Sequence, residues 1–321
     1  MAYESPRGIL VAGGATSQLL GVALQLYFLS QGILLEIFFV ETKLSHTQGF
    51  IFQNTIPAKS IQGSGRIEKY LPKSLLRYQY SIRRIYALFG KVVRALTIKK
   101  KVGLEKNLVL RVNNRNETVS TWNTETGLIN GGIWPGIIGV TAHELQEFFS
   151  KLSLPNPFAH SEKSQVNIAI HYRLGDMRTD PYWRKTHGVL DPLVILKEVE
   201  KILENTGNTI PKFVYSDEPE IAKLLLESAG MFDCVYVDPS DIWTDLRRMS
   251  NSSYFIGSFS TVSMVAAEIR TTQDLFSNQL PLNCRKHRLT QRLSNTKYFE
   301  AKILPLRHWV YKISSDSDFN S

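Results

Sequence analysis

Between residues 165 and 270 one pattern recurs: a short apolar run, a polar turn, then a stretch with apolar residues at helical spacing. Strands are expected at 166–172, 212–215, 234–237 and 254–256, and helices at 192–205, 219–229, 242–249 and 262–270. Strands joined through helices of this length return in the same direction, so the expected architecture is α/β with a parallel, doubly wound sheet. The amino end opens on a similar unit. It reads as a strand over 8–12, a Gly13-Gly14 turn, Thr16 or Ser17 as helix cap, a helix over 18–30 stopped at Gly32, and a second strand over 33–40. Two α/β domains are expected, 1–155 and 160–290, divided at Pro155-Asn156-Pro157 and followed by a C-terminal extension over 291–321.

Within the first domain, 107–112 reads as a strand running into a polar turn at 113–116, and 131–136 as a glycine-rich loop carrying an exposed Trp134. Thr141 and Glu144 form a capping box for a helix over 141–151. A membrane span over 19–40 is the alternative to the split strand–helix reading, but Gln25, Ser30, Gln31, Gly32 and Glu36 interrupt it. No signal-peptide pattern is legible. The 321 residues, 43% hydrophobic and 21% charged, suit a globular chain rather than a disordered one. Two cysteines, Cys234 and Cys284, are too few for a disulfide framework, which points to a reducing, cytoplasmic setting.

The net charge of +9 is concentrated between Arg66 and Lys101, where eleven Lys and Arg face the single acid Glu68. Leu75, Ile82, Ile85, Phe89, Val92 and Leu96 recur there at helical spacing, so the segment reads as basic and amphipathic. A solvated helix face, a surface for anionic lipid and a nucleic-acid surface all fit the charge. No helix-turn-helix, zinc or RNP-type pattern accompanies it, and nucleic acid is not an expected partner.

The strand over 166–172 ends in His171-Tyr172-Arg173-Leu174-Gly175-Asp176. It delivers an imidazole and a guanidinium to the carboxyl end of a sheet, where open α/β folds bind ligands. Two further stretches accompany it. In Phe213-Val-Tyr-Ser-Asp217-Glu-Pro-Glu220 a strand runs into a helix, and either Ser216 or Asp217 suits a plain N-cap. In Gly257-Ser258-Phe-Ser260-Thr261-Val-Ser263 a hydroxyl-rich turn opens a helix, a geometry that serves a diphosphate as well as a cap. The His-x-Arg-x-Gly-Asp spelling resembles the signature of the GDP-fucose-dependent fucosyltransferases, especially the α-1,2 family and more distantly the α-1,6 and O-fucosyltransferase families. The Ser-Phe-Ser turn with its Val-Ala-Ala-Glu-Ile helix is similar to the α-1,6 branch. Gly13, Gly14, Gln18 and Leu19 resemble the family's first glycine turn. The resemblance covers 8–31 loosely and 165–270 more fully. A dehydrogenase reading of the glycine pair fails at the missing third glycine of Gly-x-Gly-x-x-Gly, although Glu41 supplies an acid at the end of the second strand.

The resemblance implies a GT-B-like fold, two Rossmann-like domains facing a cleft, and metal-independent, inverting transfer of L-fucose from GDP-fucose to a glycan or lipid-linked acceptor, with α-1,2 linkage the leading expectation. No cofactor or metal ligand set is implied beyond the donor substrate. Arg173 would stabilise the departing diphosphate. Ser258, Ser260 and Thr261 would hold its other oxygens, and His171 and Asp217 would read the guanine. Asp176 and Asp180 compete as base for the acceptor hydroxyl, with an orienting or turn-forming role open for Asp176. Tyr182, Trp183 and Trp134 are aromatic candidates for acceptor sugar. A lipid-linked acceptor would give the 66–101 segment a use in peripheral contact with anionic membrane. The family's second Arg is Leu174 here and its following aromatic is Met177, with Arg178 as a substitute cation. That departure leaves open a degenerate, non-catalytic nucleotide-sugar binder, or a basic surface-binding protein.

Overall fold

The computed structural model describes residues 3–41, 49–62, 105–112, 115–129, 132–159, 166–179, 189–206, 209–258, 260–276 and 311–313. The chain divides into two compact units, Met1–Ile137 and Ile138–Ser321, a division upstream of the Pro155–Pro157 linker. The basic segment 66–101 and Asp180, Tyr182 and Trp183 lie outside the described residues, as does the extension except for 311–313.

In the first unit β1 (Gly8–Val11) lies centrally in a six-stranded sheet. It pairs in parallel with β2 (Glu36–Glu41), which pairs in parallel with β3 (Ala58–Gln62). On its other side lie β6 (Leu128–Ile129), β5 (Arg115–Asn123) and β4 (Glu105–Val112), the last two an antiparallel hairpin. Between β1 and β2 runs α1 (Ala15–Ser30), which begins three residues earlier than expected, with Gly14 at the N-cap. Thr16 and Ser17 therefore lie inside its first turn, a correction to their reading as caps. Gly32 ends the excursion at φ +76°, the left-handed region a glycine enters without steric cost. Gly21 lets α1 approach β1 closely, since a Cβ there would collide with Cγ2 of Val11. The core seals with Ile9, Leu19, Val22, Ala23, Ile37 and Phe39. The split of 19–40 into a helix and a strand holds, but the strand begins at Glu36 rather than residue 33, and among the described residues no helix is long and apolar enough to cross a membrane.

The second unit is ordered β11-β10-β7-β8-β9. Its strands β7 (Ile168–His171), β8 (Lys212–Tyr215), β9 (Cys234–Tyr236) and β10 (Tyr254–Gly257) are all parallel, and β11 (Tyr311–Ile313) pairs antiparallel on the β10 edge. Two short helices, α2 (Ile137–Val140) and α3 (Ala142–Ser150), precede this sheet, and α3 packs Phe149 on Trp243 with ring centroids 5.2 Å apart. Thr141 is the N-cap of α3 but makes no side-chain cap bond, so the expected capping box does not form. The remaining helices are α4 (Gly175–Thr179), α5 (Pro192–Thr206), α6 (Pro219–Ser228), α7 (Ile242–Ser250) and α8 (Thr261–Phe276), the last running six residues past its expected end. Alternate β7 residues Ile168 and Ile170 join Val214, Ile256, Ile195, Val199, Ala222 and Leu226 in one core on the α5/α6 side. Asp241 caps α7, accepting from the N–H groups of Trp243 and Thr244 at 3.0 Å each.

Candidate functional site

The chain leaves β7 toward β8 and β9 on one side, then crosses through α7 to β10 on the other, so the strand order reverses between β7 and β10. The carboxyl ends of strands at such a switch point form a crevice for ligands. Three segments meet there: 172–176 after β7, 216–218 after β8, and 258 with 260–261 after β10. They are joined by long-range bonds. Ser258 N–H donates to His171 O at 2.9 Å, and the Ser258 hydroxyl accepts from Arg173 N–H at 2.9 Å. Asp217 Oδ1 accepts from Leu174 N–H at 2.9 Å. Gly175 must be small, because a Cβ would press into Asp217 Oδ2 and stand 3.2 Å from its Cγ.

Arg173 lies between two carboxylates. Its Nε donates to Asp176 Oδ1 at 3.0 Å, Nη2 stands 3.0 Å from the same oxygen, and Nε is 3.3 Å from Asp217 Oδ2. These side chains are 24%, 13% and 29% exposed, so the guanidinium is held partly out of water with Nη1 uncommitted among the described residues. His171 closes β7 and is buried. Burial first, and the neighbouring Arg173 charge second, push its pKa down to about 4 against an opposing pull from Asp217. The ring is therefore neutral at pH 7. Its Nδ1 is 2.6 Å from Ser263 Oγ and 3.4 Å from Ser260 Oγ.

His171, Arg173, Asp176, Asp217, Ser258 and Ser260 thus come together, with Thr261 opening α8 beside them. Asp217 does not cap α6: the N-cap is Glu218, which has no side-chain cap bond, and Ser216 Oγ accepts from Glu218 N–H at 3.1 Å. Ser260 caps α8, accepting from Ser263 N–H at 3.1 Å. Ser258 is buried with its hydroxyl on Arg173 N–H. Leu174 is buried in the α5/α6 core, so a side chain at this position points away from the charged cluster. Arg178 is no free substitute, since its Nε and Nη2 grip both oxygens of Glu218 at 3.0 and 2.9 Å. Trp134 is half-buried rather than exposed, its ring against Gly136.

In the first unit Gln18 is a structural residue. Its amide donates to Gly13 O at 3.1 Å and Gly49 O at 3.3 Å and accepts from Ile51 N–H at 2.8 Å, tying the loop at 49–51 to α1. Sequence reasoning assigned no role to Ser263. Its signal was the spacing Ser260-x-x-Ser263, an N-cap with a second hydroxyl one turn on.

No family model and no curated protein matches the chain. Among solved structures it is similar to crystal structures of POFUT1. The complex with GDP-fucose in one crystal form is 16% identical over 43% of this chain and 47% of that one, with a TM-score of 0.27. In another form the GDP-fucose complex is 12% identical over 85% and 96%, with a TM-score of 0.33. The apo form is 13% identical over 84% and 97%, also at 0.33. The chain spans about half the length of the first of these and nearly all of the other two.

Proposed function

We propose that the chain is an inverting glycosyltransferase that moves L-fucose from GDP-fucose to a hydroxyl of a glycan or lipid-linked acceptor, with α-1,2 linkage and without a metal. The observation that carries this reading is the gathering of His171, Arg173, Asp217, Ser258 and Ser260 at the switch point between β7 and β10, in the spelling that resembles the family's motifs.

As the glycosidic bond breaks, the sugar gains oxocarbenium character and GDP gains negative charge. Arg173 meets that charge. With Nε and Nη2 fixed by Asp176 and Asp217, Nη1 is left to bond phosphate oxygens, and a guanidinium stays charged at any working pH. The Thr261 hydroxyl and the start of α8 hold the remaining oxygens, with Ser258 and Ser260 shaping the turn. Asp217 accepts from the guanine N–H edge through the spare lone pairs of its oxygens, while neutral His171 offers the base or diphosphate an uncharged partner. Asp176 or Asp180 takes the acceptor proton. The 66–101 segment brings the chain to anionic membrane bearing the acceptor.

A second reading, a donor-binding protein without turnover, is favoured by one observation: Leu174 is buried, so this loop supplies one guanidinium where the family has two. GDP release from GDP-fucose, measured with and without a panel of glycan hydroxyl acceptors, separates the two. Acceptor-dependent release lost in Arg173→Ala supports transfer; GDP-fucose binding with no release under any acceptor supports the second reading.

A further inference from the structure

The two nitrogens of His171 sit in different surroundings. Nδ1 faces Ser263 Oγ at 2.6 Å and Ser260 Oγ at 3.4 Å, whereas Nε2 makes no hydrogen bond to a described residue and is not among the sealed, unpartnered polar atoms. Ser263 is wholly buried, on the first turn of α8. Its seat depends on Gly257, where a Cβ would stand 2.8 Å from both Cβ and Oγ of Ser263. Two hydroxyls, each with a proton to place, converge on one ring nitrogen. The Ser260 hydroxyl also has Ser263 Oγ as an acceptor at 3.5 Å, so the single lone pair at Nδ1 is left for the closer Ser263 proton, whereas an N–H there would leave that buried proton without this acceptor.

We infer that Ser263 is a positioning residue: its hydroxyl donates to Nδ1 of His171, fixes the ring as the Nε2–H tautomer, and so turns Nε2–H toward the ligand as a donor for an acceptor oxygen. Serine here does what a second hydrogen-bonding group does for a metal-binding or triad histidine, choosing which nitrogen carries the proton. The neutral ring is consistent with this, because a protonated one would donate from both nitrogens and select nothing. The oxygen served is a phosphate oxygen or the carbonyl of a purine, and this ligand, unlike the tautomer, rests on the donor-site reading above.

The test uses the full chain labelled with ¹⁵N-histidine, with the His171 signals assigned by their loss in His171→Gln. Long-range ¹H–¹⁵N spectra at pH 7 are expected to show a bare Nδ1 and a protonated Nε2, and Ser263→Ala is expected to give a mixture of tautomers. A protonated Nδ1 in the unsubstituted protein overturns the inference, and this spectrum decides even where Ser263→Ala does not fold. Calorimetry with GDP and with inorganic pyrophosphate gives the second readout. Ser263→Ala is expected to weaken GDP binding about three- to tenfold, the size of one ordinary hydrogen bond, and to have no further effect in His171→Gln. A loss that persists undiminished in His171→Gln overturns the positioning role. Equal weakening toward pyrophosphate places the donor on phosphate; weakening confined to GDP places it on the base. Failure of the unsubstituted chain to bind GDP, with the Nε2–H tautomer intact, sinks the donor-site reading and leaves the tautomer assignment standing.

Discussion

Replacing Gly175 by alanine puts one methyl group against a carboxylate on which two structural bonds converge. The new Cβ would press into Asp217 Oδ2 and lie 3.2 Å from Cγ, so the carboxylate must move. Asp217 cannot move and keep Leu174 N–H at 2.9 Å and Arg173 Nε at 3.3 Å. Leu174 is buried, so orphaning its N–H costs about 1–3 kcal/mol. The ion pair is more than a fifth exposed on both sides and contributes about 0.5 kcal/mol once solvent screening is allowed for. Against this, alanine in a helical first turn returns up to about 1 kcal/mol. The expected net loss is about 0.5–3.5 kcal/mol, read as a shift in the urea midpoint of the full chain at constant slope. The decisive arm is Gly175→Ala in an Asp217→Ala background, where no carboxylate remains to collide with and the same substitution becomes neutral or slightly stabilising. Additivity of the two single effects within about 0.5 kcal/mol would refute the steric account.

Three further outcomes follow from single groups. Gln18→Ala leaves Gly13 O, Gly49 O and Ile51 N–H without their partner and should lower stability by about 2–4 kcal/mol, with proteolysis between 49 and 51 accelerated; an unchanged urea midpoint would show that the amide does not tie that loop. His171 binds a proton near 6.5 when unfolded but only near 4 when folded, so the unfolded state takes up the proton first. Its contribution is complete above about pH 6.5 and is lost as pH falls to about 4, on the order of 3 kcal/mol, and His171→Gln should flatten that part of the stability profile. Leu174→Arg puts a second cation into the loop after β7 but buries it in the α5/α6 core; soluble yield and thermal midpoint should fall sharply, and a well-folded variant with tighter GDP binding would contradict the placement of Leu174.

The strands β7 to β10 and the helices α5 to α8 were legible because each strand is an apolar run and the helix starts carry local signals, such as Pro219 in the first turn of α6, whereas β11 and the short α2 and α4 were not. Hidden elements lacked such signals. The β5 stretch Arg-Asn-Glu-Thr-Val-Ser-Thr-Trp-Asn is polar because it belongs to a hairpin at one side of its sheet, and β6 has two residues. The site was legible as a set of residue types, since His171, Arg173, Asp217 and Ser260 do meet. Their local roles were not. Asp217 looked like a cap because Asp at a strand-to-helix junction, two residues before Pro219, is an ordinary cap residue, yet its carboxylate spends itself on Leu174, 43 positions away. Leu174 looked like a lost cation, and only its burial shows that the position faces the core. Ser258 to Arg173 and Ser263 to His171 span 85 and 92 positions, distances over which no local pattern carries information.

The most direct test of the donor site is calorimetric titration of the full chain, without metal, with GDP, ADP and UDP in parallel, repeated with Arg173→Ala. The account predicts binding selective for GDP, weakened at least tenfold or abolished when the guanidinium is removed. No binding to any of the three nucleotides, or GDP binding indifferent to Arg173→Ala, would contradict it.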